Sequence, residues 1–391
     1  MSPMIPQPSS PYPWEEVHPF FSGDSFYRRL GDLCNSARTS IDIDFYIFED
    51  DSTGRSVFNH LLAASHRGVR VRIIVDGFGS VWWPWTFGPQ ANEGGIAYRI
   101  YHQIGIERFF LGSRVIQQQI KGLWSWFQSI NRRNHRKIAI FDRNKALIGS
   151  RNIASVHSES IFGDKAWRDS SVELSGAGVS ILAGQFDYVW NSHRLFRRFY
   201  IKRPHSWGVG APNGAIRHNL TRSARRRNFA RLLSDISESR RRIWITNAYF
   251  VPEHKVLSAL VAAAQRGCDV QIVVPGVSDV FFVPWVASVL QRDLLESGAR
   301  VFEYLPTVLH AKSMIIDDSV MIGSSNMNHR SLLHDLETDI VLSDHGVTER
   351  FVEQFITDRA KSREISQSEW FHQKPWSRLL GTILLPLRRW M

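Results

Sequence analysis

One order of segments occurs twice in this chain, and it constrains the fold more than any other feature. In the first half, Ile41–Phe48 (IDIDFYIF) reads as a strand and a helical pattern runs from Gly54 through Arg67-Gly68. Val69–Asp76 (VRVRIIVD) follows, a β-branched run of the kind found in buried strands. The second half repeats the order with Ile243–Phe250 (IWITNAYF), a helix over Val256–Arg266, and Cys268–Val274 (CDVQIVV). Both helices end in Arg-Gly, and a glycine there suits the left-handed turn that closes a helix. Alternating strand and helix predicts an α/β sandwich with a largely parallel sheet in each half.

The join between the halves falls where KRPHSWGVGAPNG loses all apolar period and gains Pro and Gly. The expected division is a Pro-rich segment 1–22, a first domain 23–200, a linker 201–218, a second domain 219–365 and a tail 366–391. The first half is about two dozen residues longer between Gly77 and His135 than the second between Gly276 and His310. That extra length holds VWWPWTF, starting at Val81, and GLWSWF, starting at Gly122.

Each half also carries the same polar pattern after its strands. NHRKIAIFDRNKALIGSRN begins at Asn134, and LHAKSMIIDDSVMIGSSN begins at Leu309. On a strand, side chains two apart share a face, so His135 and Lys137 point together, as do His310 and Lys312. Asp142 and Asp317 open tight turns, after which Ser150 and Asn152, or Ser324 and Asn326, return beside the His and Lys. An imidazole, an ammonium, a hydroxyl and an amide gathered at one point suit a phosphoryl group. Imidazole is also a nucleophile and proton carrier near neutral pH. Two histidines flanking one phosphorus can divide attack and leaving-group protonation between them, then exchange roles. A single His-x-Lys or Gly-Ser-x-Asn is usually an accident of a surface strand or turn; two ordered copies at the same place in a duplicated unit are not. No cluster of carboxylates is spaced to hold a metal, and no cofactor is expected.

A duplicated HxKxxxxD followed by GSxN resembles the phospholipase D superfamily, and more narrowly the bacterial cardiolipin synthases without N-terminal membrane spans. IDIDFYIFEDDSTGR, AASHRGVRVRIIVDGFGS, NRRNHRKIAIFD, TNAYFVP and GSSNMNHRSLLHDLE carry the resemblance, which runs from about Gly23 to Met391. It implies two phospholipase D-like α/β sandwich domains in pseudo-symmetric duplication, with the active site at their interface. It also implies a phosphatidyltransferase that joins two phosphatidylglycerols through a phosphohistidine and releases glycerol, peripherally bound at the cytoplasmic side of a cell membrane. Hydrolysis of a phospholipid or nucleic acid is the alternative on the same scaffold. A carboxylate behind each imidazole is part of the same implication: Asp169 for His135 and Glu337 for His310. Asp142 and Asp317 then secure their turns, His135 is the nucleophile and His310 the acid. Asn328 and Asp335 depart from the family, where many relatives carry Asp and Asn.

Charge and tryptophan content bear on where the substrate comes from. The chain has a formal net charge of +11 and fourteen tryptophans, a combination suited to an anionic lipid surface. Trp82, Trp83 and Trp85 form one charge-free cluster, Trp124 and Trp126 a second; both are expected at the membrane. The stretch DVFFVPWVASVL from Asp279 fits core or interface equally. In the tail, Trp376 lies on the apolar face of an amphipathic pattern edged by Arg378, Arg388 and Arg389. The tryptophan clusters and the tail favour an anionic phospholipid surface over nucleic acid as the expected partner, and the resemblance implies phosphatidylglycerol as the lipid. The start of the chain lacks a basic and apolar leader pattern, and no run reaches the ~18 apolar residues of a spanning helix. Cys34 and Cys268 have no metal or disulfide spacing.

Overall fold

The computed structural model describes residues 13–102, 132–192, 215–278, 280, 283–367 and 383. The first sheet has seven strands: β1 (Val17–Phe20), β2 (Ser40–Phe45), β3 (Arg70–Asp76), β4 (Ala97–Tyr101), β5 (Lys137–Phe141), β6 (Lys145–Gly149) and β7 (Ser171–Ser175). Their spatial order is β1-β7-β6-β5-β2-β3-β4. The second has eight: β8 (Ile216–His218), β9 (Arg242–Asn247), β10 (Asp269–Pro275), β11 (Arg300–Tyr304), β12 (Lys312–Ile316), β13 (Ser319–Gly323), β14 (Thr338–Leu342) and β15 (Ser362–Glu364). They run β15-β11-β10-β9-β12-β13-β14-β8.

The duplication is plain in these orders. β2, β3 and β4 pair parallel, as do β9, β10 and β11. Beside each parallel trio lies an antiparallel block, β5-β6-β7 or β12-β13-β14. Each sheet is thus mixed rather than largely parallel. The physical reason is the turn after each His-x-Lys strand, which is too short to cross over and can join only antiparallel neighbours. Register places the two lysines at matching points, Lys137 opposite Phe45 and Lys312 opposite Asn247. The segments expected to flank the domains each supply an edge strand: β1 from 1–22 pairs with β7, and β8 from 201–218 with β14.

The helices divide the apolar core into three. Gly23–Ser36 and Ser52–His66 cover the outer face of the first sheet, enclosing Phe26, Leu61, Ile43 and Phe58. Arg222–Glu238, His254–Gln265 and Val283–Glu296 lie on the outer side of the second. Of the stretch read as core or interface, Val286, Ala287 and Leu290 are core. Between the sheets a shared core takes Ile138, Ile148 and Phe186 from the first half and Ile315, Ile340 and Phe351 from the second. The halves are therefore held face to face by continuous apolar packing.

Asp142 and Asp317 sit in the turns after β5 and β12. Both have positive φ, 50° and 48°, and both carboxylates face backbone N–H groups. Asp142 accepts from Arg38, Thr39 and Ser40, and Asp317 from Arg240, Arg241 and Arg242. Burial works to raise each carboxyl, but these donors outweigh it and hold both below the usual range. Asp142→Ala is expected to cost about 2 kcal/mol of stability, read as a lower denaturation midpoint with the denaturant slope unchanged.

Candidate active site

The histidines sit just ahead of β5 and β12, in short segments that pair across the interface. Asn134 bridges Leu336 in parallel, with His135 N–H donating to Leu336 O at 3.0 Å and Leu336 N–H to Arg133 O at 2.8 Å. The other half does the same: Arg168 bridges Leu309, and His310 N–H donates to Arg168 O at 2.8 Å. The chain leading to each histidine is thus fixed by backbone from the opposite half. Buried polar groups brace the first of these segments. Asn134 gives its N–H to Asp76 at 2.9 Å and its side-chain amide to Asp44 at 2.6 Å, while Arg136 also pairs with Asp44.

This crossing exchanges the carboxylates relative to the sequence expectation. His135 Nδ1 hydrogen-bonds Glu337, 3.0 Å from Oε1 and 3.2 Å from Oε2. His310 Nδ1 hydrogen-bonds Asp169 Oδ2 at 2.7 Å. Asp169 does not serve His135, and Glu337 does not serve His310. Each acid follows its own His-x-Lys motif in the chain, yet the interface strands deliver it to the partner motif. Nearness in sequence suggested the wrong pairing because the pairing is made between halves.

The lysines stand beside the imidazoles. Lys137 Nζ donates to His135 O at 2.7 Å, and Lys312 Nζ to His310 O at 2.6 Å. Lys312 Nζ also lies 3.2 Å from His310 Nε2. His135 Nε2 has no hydrogen bond to any described residue, and its side chain keeps 13% of its exposure against 5% for His310. Tyr46 packs edge-on against the His135 ring at 4.9 Å, with Lys137 over its face.

Ser150 and Ser324 are not free for a phosphate. Ser150 is fully buried, its hydroxyl donating to Asp169 and accepting from the Ser170 N–H; the Ser324 hydroxyl hydrogen-bonds the Thr338 backbone. Ser150 braces Asp169 from behind. Asn152 and Asn326 are buried with side-chain oxygens that meet no hydrogen-bond partner among the described residues. The glycines of the same motif serve the sheet: a Cβ on Gly149 or Gly323 would lie 2.4 Å from the Ser170 or Thr338 carbonyl oxygen.

Electrostatically the site is crowded with cations in a buried setting. Burial, with Lys137 and Lys312 adding, pushes His135 well below an ordinary imidazole. Burial and Lys312 lower His310, against the pull of Asp169. Burial and Lys312 bring Lys137 down to about 7. The two carboxylates differ. Burial raises Glu337 to about 7 despite Lys137 and the serine hydroxyls, whereas around Asp169 the histidines and Lys312 overcome burial and hold it well below its usual range. His157, Asp169 and His310 are the one group among the described residues with three potential metal ligands, within 4.8 Å of one another. The hydrogen bond from His310 already occupies Asp169 Oδ2 there.

Sequence reading missed His157, Ser331, Trp167 and Tyr46. Ser331 donates to Glu337 Oε1 at 2.6 Å, and Trp167 packs on both His157 and His310. An equal offset from the two GSxN copies marks His157 and Ser331, each five residues beyond its Asn.

Of the aromatic residues expected at a membrane, Trp82 and Trp85 are 65% and 47% exposed, with ring centroids 5.9 Å apart. Trp83 is instead core. It is 1% exposed and packs on Phe48, Phe58, Phe87 and Tyr98, because a short helix over Trp83–Thr86 turns it opposite its neighbours. Trp124, Trp126 and Trp376 lie outside the described residues. No described helix is long and apolar enough to cross a membrane.

Two mixed sheets, each donating a histidine and the carboxylate for its partner's histidine, define a class of duplicated enzyme with one shared site. Residues 30–158 and 232–359 match the family model described as "Cardiolipin synthase, PLD-like domain", and the chain belongs to that family. It is 27% identical over 356 residues to a cardiolipin synthase of Clostridium perfringens, covering 88% of this chain and 70% of that one. To the major cardiolipin synthase of Bacillus subtilis it is 28% identical over 377 residues, covering 92% and 73%. The fold is similar to that of phosphatidylserine synthase from Haemophilus influenzae, with a TM-score of 0.67, 12% identity, and coverage of 96% and 93%. A polyphosphate kinase from Porphyromonas gingivalis matches with a TM-score of 0.53 and 14% identity, over 88% of this chain and 50% of that one.

Proposed function

We propose that this protein is a phosphatidyltransferase that makes cardiolipin and glycerol from two molecules of phosphatidylglycerol. The observation that carries the reading is the pair of imidazoles, each held at Nδ1 by a carboxylate from the opposite half, with a lysine beside each. A carboxylate at Nδ1 leaves Nε2 to do chemistry and stabilises the charge that develops on the ring. The relatives named cardiolipin synthase supply the substrate class.

In the first step His135 Nε2 attacks phosphorus, the bond to the glycerol headgroup oxygen breaks, and His310 gives that oxygen its proton. In the second, His310 takes the proton from a hydroxyl of another phosphatidylglycerol. That oxygen attacks phosphorus and the bond to His135 breaks. Lys137 and Lys312 balance the charge on the phosphoryl oxygens, and the Asn152 and Asn326 amides bond the substrate. His135 is the nucleophile because its Nε2 is open, whereas that of His310 lies 3.2 Å from Lys312 Nζ, a contact given up when the ring carries the proton it delivers. Purified protein given phosphatidylglycerol vesicles without added metal is expected to yield cardiolipin and glycerol. Phosphatidic acid as the sole product would mean hydrolysis instead, and strict dependence on Mg²⁺ would sink the mechanism.

The lipid enters past Trp82 and Trp85. They follow β3, whose last residue, Asp76, bonds the segment carrying His135, and both rings are exposed, which supports a lipid path beside them. The double change Trp82→Ala and Trp85→Ala is expected to weaken binding to phosphatidylglycerol vesicles about tenfold, about 1.4 kcal/mol, with stability unchanged. Trp83→Ala should instead cost about 3–5 kcal/mol of stability and leave the vesicle-binding surface in place.

A further inference from the structure

His157 stands where the duplication places Ser331. Each lies five residues after the Asn of its GSxN copy, and each points at the carboxylate that holds a reactive imidazole. On the Glu337 side the second donor is complete, Ser331 Oγ to Oε1 at 2.6 Å. On the Asp169 side Oδ1 takes the Ser150 hydroxyl and the Ser170 N–H, while among the described residues Oδ2 takes only His310. His157 Nδ1 lies 3.4 Å from that same Oδ2.

The setting of His157 is costly for a mere packing residue. It is 1% exposed, and neither ring nitrogen has a hydrogen-bond partner among the described residues. Leaving a buried polar group unsatisfied costs its full desolvation, which an apolar ring in the same space would avoid. Its ring meets Trp167 at 5.6 Å and His310 at 5.7 Å, so it is seated against the imidazole that Asp169 holds. Hydrogen bonds that serve catalysis are commonly long in the unliganded enzyme and tighten when charge develops.

We propose that His157 is a positioning residue that donates its Nδ1–H to Asp169 Oδ2 while Asp169 holds His310 during proton transfer. It is the counterpart of Ser331 on a carboxylate one methylene shorter, where a longer donor is needed to span the gap. Burial, together with His310, Arg151 and Lys312, keeps the ring neutral against the attraction of Asp169, so it acts as a fixed donor and not as a second acid. The inference rests on the phosphohistidine reading for its role in turnover, but its hydrogen bond can be read without substrate.

Two substitutions separate donor from ring. His157→Asn keeps a donor near the Nδ1 position and loses the ring; His157→Phe keeps the ring and loses the donor. In the cardiolipin assay the Asn variant is expected to stay within about threefold of wild type. The Phe variant should lose about 10- to 100-fold in kcat with KM little changed, the usual scale for a partner behind a reactive ligand. In ¹⁵N-histidine NMR of the substrate-free enzyme, His157→Phe should raise the His310 pKa, since Asp169 then has one donor fewer to share its charge. Asp169, Lys312, Lys137 and His135 are the other charged or titratable groups acting on that ring, and both variants leave them in place. His157→Asn should not move it. The reverse order of the variants, equal loss in both, or an unmoved His310 pKa in the Phe variant would overturn the proposal. A wild type that makes no cardiolipin would remove the functional reading alone, because the NMR titration still decides the hydrogen bond.

Discussion

His135→Ala is expected to lower cardiolipin formation by about 10⁴-fold or more, the scale of removing a nucleophile whose partners act as a unit. The same enzyme should form no acid-labile phosphoenzyme when given phosphatidylglycerol labelled in the phosphate. His310→Ala should behave differently. With His135 intact it retains the attacking nitrogen, so a slow burst of labelled enzyme should appear that turns over poorly, because no group protonates the leaving glycerol or activates the acceptor. The contrast follows from geometry: His135 Nε2 is open and its side chain keeps more exposure, while His310 Nε2 faces Lys312 Nζ at 3.2 Å. Label recovered on His310 of the His135→Ala enzyme would reverse the two roles.

Glu337→Gln and Asp169→Asn are each expected to cost roughly 10³- to 10⁴-fold, as when the carboxylate behind a catalytic imidazole becomes an amide. The crossed pairing makes the two changes distinguishable. Loss of the Glu337 anion should lower the pKa of His135 and leave His310 near its original value; loss of the Asp169 anion should do the opposite. Glu337 also sets a pH dependence. Its folded value is raised to about 7, so its charge is present above pH 7 and lost as the pH falls through it. Lys137, lowered to about 7, loses its cation as the pH rises through the same region. The free enzyme's kcat/KM should therefore peak near neutrality, and the acid limb should vanish in Glu337→Gln. An acid limb that persists there, or a His310 that responds to Glu337→Gln, would return the carboxylates to the motifs they follow in sequence.

Much of the site was legible because its residues are local and repeated. His135 with Lys137, and His310 with Lys312, share a strand face by simple alternation, and Asp142 and Asp317 announce turns by position alone. Other residues misled for identifiable reasons. Ser150 and Ser324 looked like phosphate ligands, yet the Ser150 hydroxyl is spent on Asp169 and that of Ser324 on the Thr338 backbone. Trp83 looked like its neighbours Trp82 and Trp85, but one turn of helix sends it into the core. The edge strands β1 and β8 lie in stretches read as flanking segments, since a short edge strand takes its conformation from its sheet neighbour and not from its own apolar pattern.

The sequence by itself determined that there are two equivalent α/β halves and which imidazoles and lysines they contribute. Those features depend on periodicity and on residues a few positions apart. Only the tertiary structure decided which carboxylate serves which histidine, and that His157 faces the same acid as His310. Both depend on strand segments at Asn134–Leu336 and Arg168–Leu309 that pair only when the shared core brings the halves together. Hydrogen bonds between halves carry no local sequence signal, because their geometry is set by apolar packing far from the residues that make them.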